Sequence, residues 1–142
     1  MAISAGMKFA QYAEKISDGM RDELYRRGVQ ITQVLRKTEL EVLAGARNGI
    51  KYKSLPNRSS APGEAPAAQS GKLRQEWDDI TERQGNGHTS IVTSRITSTT
   101  PYAGYLEEGT ERMAARSFVD KIIEKAEPEI LEIARAPYGP YL

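Results

Sequence analysis

The sequence predicts an α+β fold with a long N-terminal amphipathic helix, a small antiparallel β-sheet with a hairpin, a C-terminal helix, and a long Pro-rich arm between the first helix and the sheet. Three observations carry that prediction. Apolar residues recur every three or four positions between Met7 and Arg47. A Thr/Val/Ile-rich run follows the turn signal Gln84-Gly85-Asn86-Gly87, and a second three-to-four periodicity starts near Ser117. With 142 residues, 39% of them hydrophobic, the chain has the size and the apolar content to bury one core, so residues 1–142 are expected to form a single domain, with 51–71 as an extended arm.

Along the first helix the stripe is Phe9, Ala13, Ile16, Met20, Leu24, Arg27, Ile31 and Leu35, and only Arg27 interrupts it. Such a stripe buries one side of a helix and leaves the other solvated. Gly28 weakens the helix by about 1 kcal/mol relative to alanine, which predicts a bend or break there. From Lys51 to Gly71 the chain carries Pro56, Pro62 and Pro66 among small and polar residues. Too few bulky apolar groups are present to offset the entropy of ordering, so the segment is expected to order against a partner.

Leu73–Arg83 reads as a first strand with Leu73, Trp77 and Ile80 as its large apolar residues, and Thr89–Thr100 reads as its hairpin partner. Tyr102, Ala103, Tyr105 and Leu106 then fall at helical spacing, and Gly109 is placed to end that turn with a positive φ. The last helix is expected to start at Ser117, with Ser117 and Asp120 as a capping pair and Val119, Ile122, Ala126, Ile130 and Ile133 as its stripe. Pro128 should kink or split it, because proline lacks the N–H that would bond the Glu124 carbonyl. The tail Ala136–Leu142 cannot continue a helix, and Tyr138 and Tyr141 are expected either to dock on a neighbour or to fray.

Composition argues against several function classes. A net charge of +1 disfavours a general nucleic-acid binder or DNA-binding regulator. The sequence has no cysteine and one histidine, His88, so neither a thiolate metal site nor the usual catalytic-zinc ligand sets can be assembled in one chain. A Ser–His–acid triad would have to recruit His88 beside a turn, and no nucleophile-elbow pattern is present. Glu107-Glu108 are adjacent, so their side chains diverge on a helical turn, and Gly85-Asn86-Gly87 lacks phosphate-loop spacing. No apolar run reaches the roughly 18 residues of a membrane span, and Met1–Gly6 lacks the charged start of a secretory signal. The expectation is a non-enzyme with no cofactor, no metal and no membrane partner, made in the cytoplasm.

Two stretches carry a recognisable pattern. One is Ser60-Ala61-Pro62-Gly63-Glu64-Ala65-Pro66-Ala67-Ala68-Gln69-Ser70-Gly71-Lys72-Leu73-Arg74. The other is Thr100-Pro101-Tyr102-Ala103-Gly104-Tyr105-Leu106-Glu107-Glu108-Gly109-Thr110, continuing through Arg112-Met113-Ala114-Ala115-Arg116-Ser117-Phe118. Together, and in this order after an amphipathic helix, they resemble the tail-component (tail-completion or neck) family of long-tailed double-stranded DNA phages. Members of that family show a Pro-Gly-Glu-rich arm closed by Gly-x-Leu-Arg, then a Tyr-Ala…Leu-Glu-x-Gly-Thr segment, then a final helix. Ala65 and Ser117 stand where the family often has proline; Ser117 suits a helix start as proline does.

The resemblance implies a structural virion protein that completes the tail end and joins it to the head, forming a ring around the DNA channel at the neck. It implies as partners further copies of the chain (sixfold), the neighbouring tail-terminator, head-closure or adaptor proteins, and passing contact with phage DNA. A tail-terminator or head-closure (stopper) role is the alternative, and a phage-encoded hydrolase a remote one. The interface candidates it marks are Pro62, Gly63, Pro66, Gly71 and Leu73 in the arm, and Tyr102, Leu106, Glu107, Glu108, Gly109, Thr110, Arg116 and Phe118 beyond the sheet. Glu107 or Glu108 is expected to meet Arg112 or Arg116, either bracing one subunit or, through Arg116, crossing a subunit boundary.

Overall fold

The computed structural model describes residues 5–44, 47–85 and 89–138, with backbone only for 5–10, 12 and 13. Helix α1 (Ala5–Val42) is followed by the irregular 51–71 segment, a single helical turn α2 (Lys72–Gln75), strands β1 (Trp77–Gly85) and β2 (Ser90–Ser98), a short helix α3 (Ala103–Glu108) and the last helix α4 (Val119–Arg135). The architecture is α+β, with one two-stranded antiparallel sheet. Its register runs from Trp77 opposite Ser98 to Gly85 opposite Ser90. The hairpin positions Asn86, Gly87 and His88 lie outside the described residues, as does Tyr141.

A two-stranded sheet is marginal by itself and needs a helix to cover one face. Helix α1 supplies that cover, and α4 packs on the same helix. At 38 residues α1 is about 57 Å long, a spine for both. Because two elements cover it, more than one stripe is buried. Ile16 and Met20, placed on the core face by periodicity, are 39% and 40% exposed, whereas Thr32, Thr38 and Glu39 are buried. The side chains of Phe9 and Ala13 lie outside what the structure describes.

Of the bend or break expected at Gly28, the break does not occur, since α1 runs unbroken from Ala5 to Val42. Gly28 instead lets the sheet approach: a Cβ there would sit 2.3 Å from Val92 Cγ1 and 3.3 Å from Thr81 Cγ2. Polar groups stitch the contact, with the Ser94 hydroxyl donating to the Gly28 carbonyl at 2.6 Å and the Thr32 and Thr81 hydroxyls 2.8 Å apart.

The first strand begins later than its apolar residues suggested. Gly71, at φ +80, turns the chain, and the N–H groups of Gln75 and Glu76 bond back to Gly71 and Lys72 at 3.0 Å, so Leu73 lies on α2 and not on β1. Helix α4 begins at Val119 with Phe118 as its cap residue, not Ser117, and continues through Pro128 without splitting. Pro128 and Glu124 are both exposed, so water can satisfy the carbonyl that the proline leaves open. Within the chain Tyr138 packs back on α1, its ring centre 3.9 Å from the Arg27 guanidinium carbon.

The 51–71 segment, expected as an extended arm, contains neither helix nor strand. In the single chain it turns back on itself through Gly49 and Ser59 (N–H to carbonyl, 2.8 Å), and Asn57 bonds the Gln69 side chain at 2.9 Å and the Ala68 carbonyl at 3.0 Å. Its last third packs inward, where Ala65 joins Leu43, Phe118 and Ile122 in the core cluster. Val42, Leu73, Trp77, Ala103 and Leu106 surround that cluster, and the Trp77 and Phe118 rings meet edge-on at 6.2 Å. Each large side chain buried there stabilises the fold by about 1.5–3 kcal/mol, and the cluster lies at the C-terminal end of α1, where residues of the 51–71 segment, α2, β1, α3 and α4 meet.

Candidate functional site

The two motif stretches, far apart in sequence, close around one cavity of about 560 Å³. Pro66, Gly71 and Leu73 line it from the first stretch, and Tyr102, Leu106 and Arg116 from the second. Phe118 forms the adjoining core rather than the cavity wall. Pro62, Gly63, Glu108 and Thr110 do not line it; all four are exposed. The stretches are also joined through the backbone, since the Gly63 N–H donates to the Ala115 carbonyl at 3.3 Å.

Local chemistry explains how the second stretch holds its shape. Gly109 ends α3 at φ 80 and ψ 175, a backbone that disfavours side-chained residues, and a Cβ there would fall 2.8 Å from the Ala115 nitrogen. The Thr110 N–H donates to the Met113 carbonyl at 2.8 Å, and the Arg116 N–H donates to the Leu106 carbonyl at 2.7 Å. The loop is thereby folded back beside α3.

The expected pairing of Arg116 with Glu107 or Glu108 is not what the chain does. Glu107 Oε2 accepts the Phe118 N–H at 2.7 Å and the Val119 N–H at 3.3 Å. A carboxylate on the otherwise unbonded N–H groups of a helix start satisfies donors and suits the helix dipole. Glu107 thus performs the capping expected of Ser117, because the residue at the cap position is Phe118, whose side chain makes no cap bond. Arg116 Nη1 is buried without a hydrogen-bond partner. The Glu64 carboxyl in the first stretch is held below its usual range by the Asn48 side-chain amide at 2.7 Å and by the Ala61 N–H at 2.8 Å.

A charged cluster that periodicity could not locate lies where α1 meets α2 and β1. Glu39 is 0% exposed, and burial raises its carboxyl from 4.5 to about 7 against the opposing pull of Arg36, whose Nη1 donates to Glu39 Oε2. Arg36 also donates to the Gln75 carbonyl at 2.8 Å and lies 3.5 Å from Asp79, while Arg74 donates to the Leu40 carbonyl at 2.8 Å. Near the opposite end of α4, Arg27 donates to the Ala134 carbonyl at 3.3 Å and the Pro137 carbonyl at 2.9 Å, and to Glu23 at 3.0 Å. Hydrogen bonds from Arg26 and then Arg27 hold the Glu23 carboxyl down at about 2. Arg27, the one break in the apolar stripe, was the only sequence signal for this anchor; Ser60 and Glu39 gave none, because their burial depends on distant segments.

Among the described residues, no group of three or more His, Asp or Glu side chains is arranged to hold a metal ion, and no helix is long and apolar enough to cross a membrane. Compared with protein-family models, curated proteins and solved structures, the chain matches none of them.

Proposed function

We propose that the chain is a structural protein of a tailed-phage virion that completes the tail at the head–tail neck as a homo-oligomeric ring. The observation that carries this reading is the convergence of its two motif stretches on a single cavity rim. Residues that resemble one family's pattern in sequence also act together in space, which a chance likeness of two unrelated segments would not require. Two further features favour an assembly part. Both strands of the sheet are edge strands, each with one side unpaired to any other strand among the described residues. Large apolar side chains face outward on several elements: Ile16 and Met20 on α1, Ile91 on β2, Tyr105 on α3, and Val119 and Ile123 on α4.

The test is mass measurement and negative-stain microscopy of the purified protein, alone and mixed with phage tails that lack it. Rings, or tails that gain a terminal density and become able to join heads, are the expected result. A protein that stays monomeric at all concentrations and leaves the tails unable to join would overturn the reading.

A further inference from the structure

The cavity between the 51–71 segment, α2 and α3 has an unbalanced lining. Lys72, Arg74 and Arg116 contribute cationic side chains, and no aspartate or glutamate lines it. Its apolar seat is formed by Leu43, Leu73, Leu106 and Met113. Arg74 is engaged with the Leu40 carbonyl at 2.8 Å, but Arg116 Nη1 is buried with no hydrogen-bond partner. The Ser60 hydroxyl is in the same condition, in a residue only 2% exposed.

A guanidinium cannot relieve burial by losing its proton, and a buried donor left unbonded is unfavourable, more so when charged. Glu108, Glu111 and Asp120, the nearest in sequence apart from Glu107, are exposed and form no ion pair with it, and the carboxylates of the two stretches that fold closest are already engaged. Glu107 is committed to the start of α4, and Glu64 to Asn48 and Ala61. The geometry points to an acceptor from outside the chain. We propose that this cavity receives one carboxylate carried on an aliphatic segment of another protein chain, an aspartate or glutamate side chain beside a leucine-like residue. Arg116 supplies the ion pair, Ser60 donates a second hydrogen bond, and Leu43, Leu73 and Leu106 seat the neighbouring aliphatic group.

A protein segment fits better than a small free anion for two reasons. The volume of about 560 Å³ exceeds what a single acid group needs, and the exposed rings of Tyr52 and Tyr102 stand at its rim, where aromatic residues commonly anchor protein interfaces. The apolar seat argues against a bare phosphate, which is bound through several polar donors. The inference goes beyond the neck reading and stands without it, since it concerns one cavity of one chain.

The test uses the full-length chain and a blocked leucine–glutamate–leucine peptide, compared with its neutral glutamine counterpart, hexanoate and inorganic phosphate, by calorimetry and methyl NMR. The glutamate peptide should bind at least about tenfold more tightly than the glutamine peptide, shift the Leu73, Leu106 and Met113 methyls, and lose that preference in Arg116→Gln. Ser60→Ala, a change of one buried atom, should weaken the glutamate peptide selectively and serves as the second variant should Arg116→Gln fold poorly. Equal affinity for the two peptides, no binding of the glutamate peptide, or a preference that survives both substitutions would overturn the proposal. Hexanoate or phosphate binding as tightly as the peptide would overturn the assignment of a protein segment as the ligand. Ring formation is not read in this experiment, so its outcome is separable from that of the neck reading.

Discussion

Glu39 offers the most direct check on the interior of this protein. It lies on α1 with no exposed surface, faced by Arg36 from its own helix, Arg74 from α2 and Asp79 from β1. Its Oε2 accepts from Arg36, and its Oε1 has no partner. Desolvation outweighs the attraction of Arg36 and raises the carboxyl from 4.5 to about 7. In the window between those values the folded chain keeps a proton that the unfolded chain releases. The contribution to stability is therefore fully present below 4.5 and is lost as pH rises through about 7.

Converted in full, that window corresponds to about 3 kcal/mol. The Arg36 side chain is 20% exposed and that of Asp79 47% exposed, which admits solvent screening beside the pair. The expected loss is accordingly about 1–2 kcal/mol, or roughly 3–8 °C in Tm for a domain of this size. Glu39→Gln removes the titration and leaves a side chain of the same shape. Thermal and urea melts of both proteins from pH 4.5 to 8 should show wild type losing stability relative to the variant, with the variant the more stable protein at pH 8. Glu23, held at about 2, titrates below this window and is present in both chains, so it cancels in the comparison. Parallel curves for the two proteins, or a wild type that gains on the variant as pH rises, would refute the assignment of Glu39 as a desolvated carboxyl.

Three further outcomes are expected. Gly28→Ala should destabilise the chain by about 1–2 kcal/mol despite alanine's better helix propensity, because its Cβ meets Val92 Cγ1, and it should become neutral or stabilising in a Val92→Ala background; a double-mutant cycle of denaturation midpoints checks this. Glu107→Ala should cost about 1 kcal/mol by uncapping α4 and speed hydrogen exchange at Phe118 and Val119, whereas Ser117→Ala should leave both nearly unchanged. Arg27→Ala should cost about 2–4 kcal/mol and release the segment after α4, read as loss of the Tyr138 ring-current shift and of exchange protection near Ala134.

These residues also show where reading the sequence succeeded and where it could not. Periodicity and turn chemistry are local, and they located α1, the hairpin and α4 because each depends on neighbours a few residues away. The identity of the buried face of α1 is not local. Thr32 is buried because Thr81 lies opposite it, and Glu39 because α2 and β1 close over it, so a count of apolar residues at helical spacing favoured Ile16 and Met20 instead. Gly28 misled for the same reason: intrinsic propensity reads a glycine as weakness in a helix, whereas here the missing Cβ is what admits Val92. Leu73, Trp77 and Ile80 alternate only imperfectly, their spacing of four and three being nearer a helix's, and Leu73 indeed lies on α2, where Gly71 turns the chain.

The candidate site was legible as two stretches but not as one place. Nothing in the spacing of Pro66, Leu73, Leu106 and Arg116 states that they share a cavity, and simple charge matching pairs Arg116 with Glu107 or Glu108 of the same stretch. That pairing fails because Glu107 has a better use. An unbonded helix start offers it two backbone N–H groups at 2.7 and 3.3 Å, fixed by α4 and requiring no arginine rotamer to be frozen. With Glu107 taken, Arg116 keeps one guanidinium nitrogen, Nη1, buried without a hydrogen-bond partner beside the cavity the two stretches build. Within the chain no ion pair joins that side chain to Glu107 or Glu108, so the brace expected of it is not formed by either glutamate. A carboxylate brought by another chain would meet it there, which is the contact the glutamate and glutamine peptides are chosen to detect.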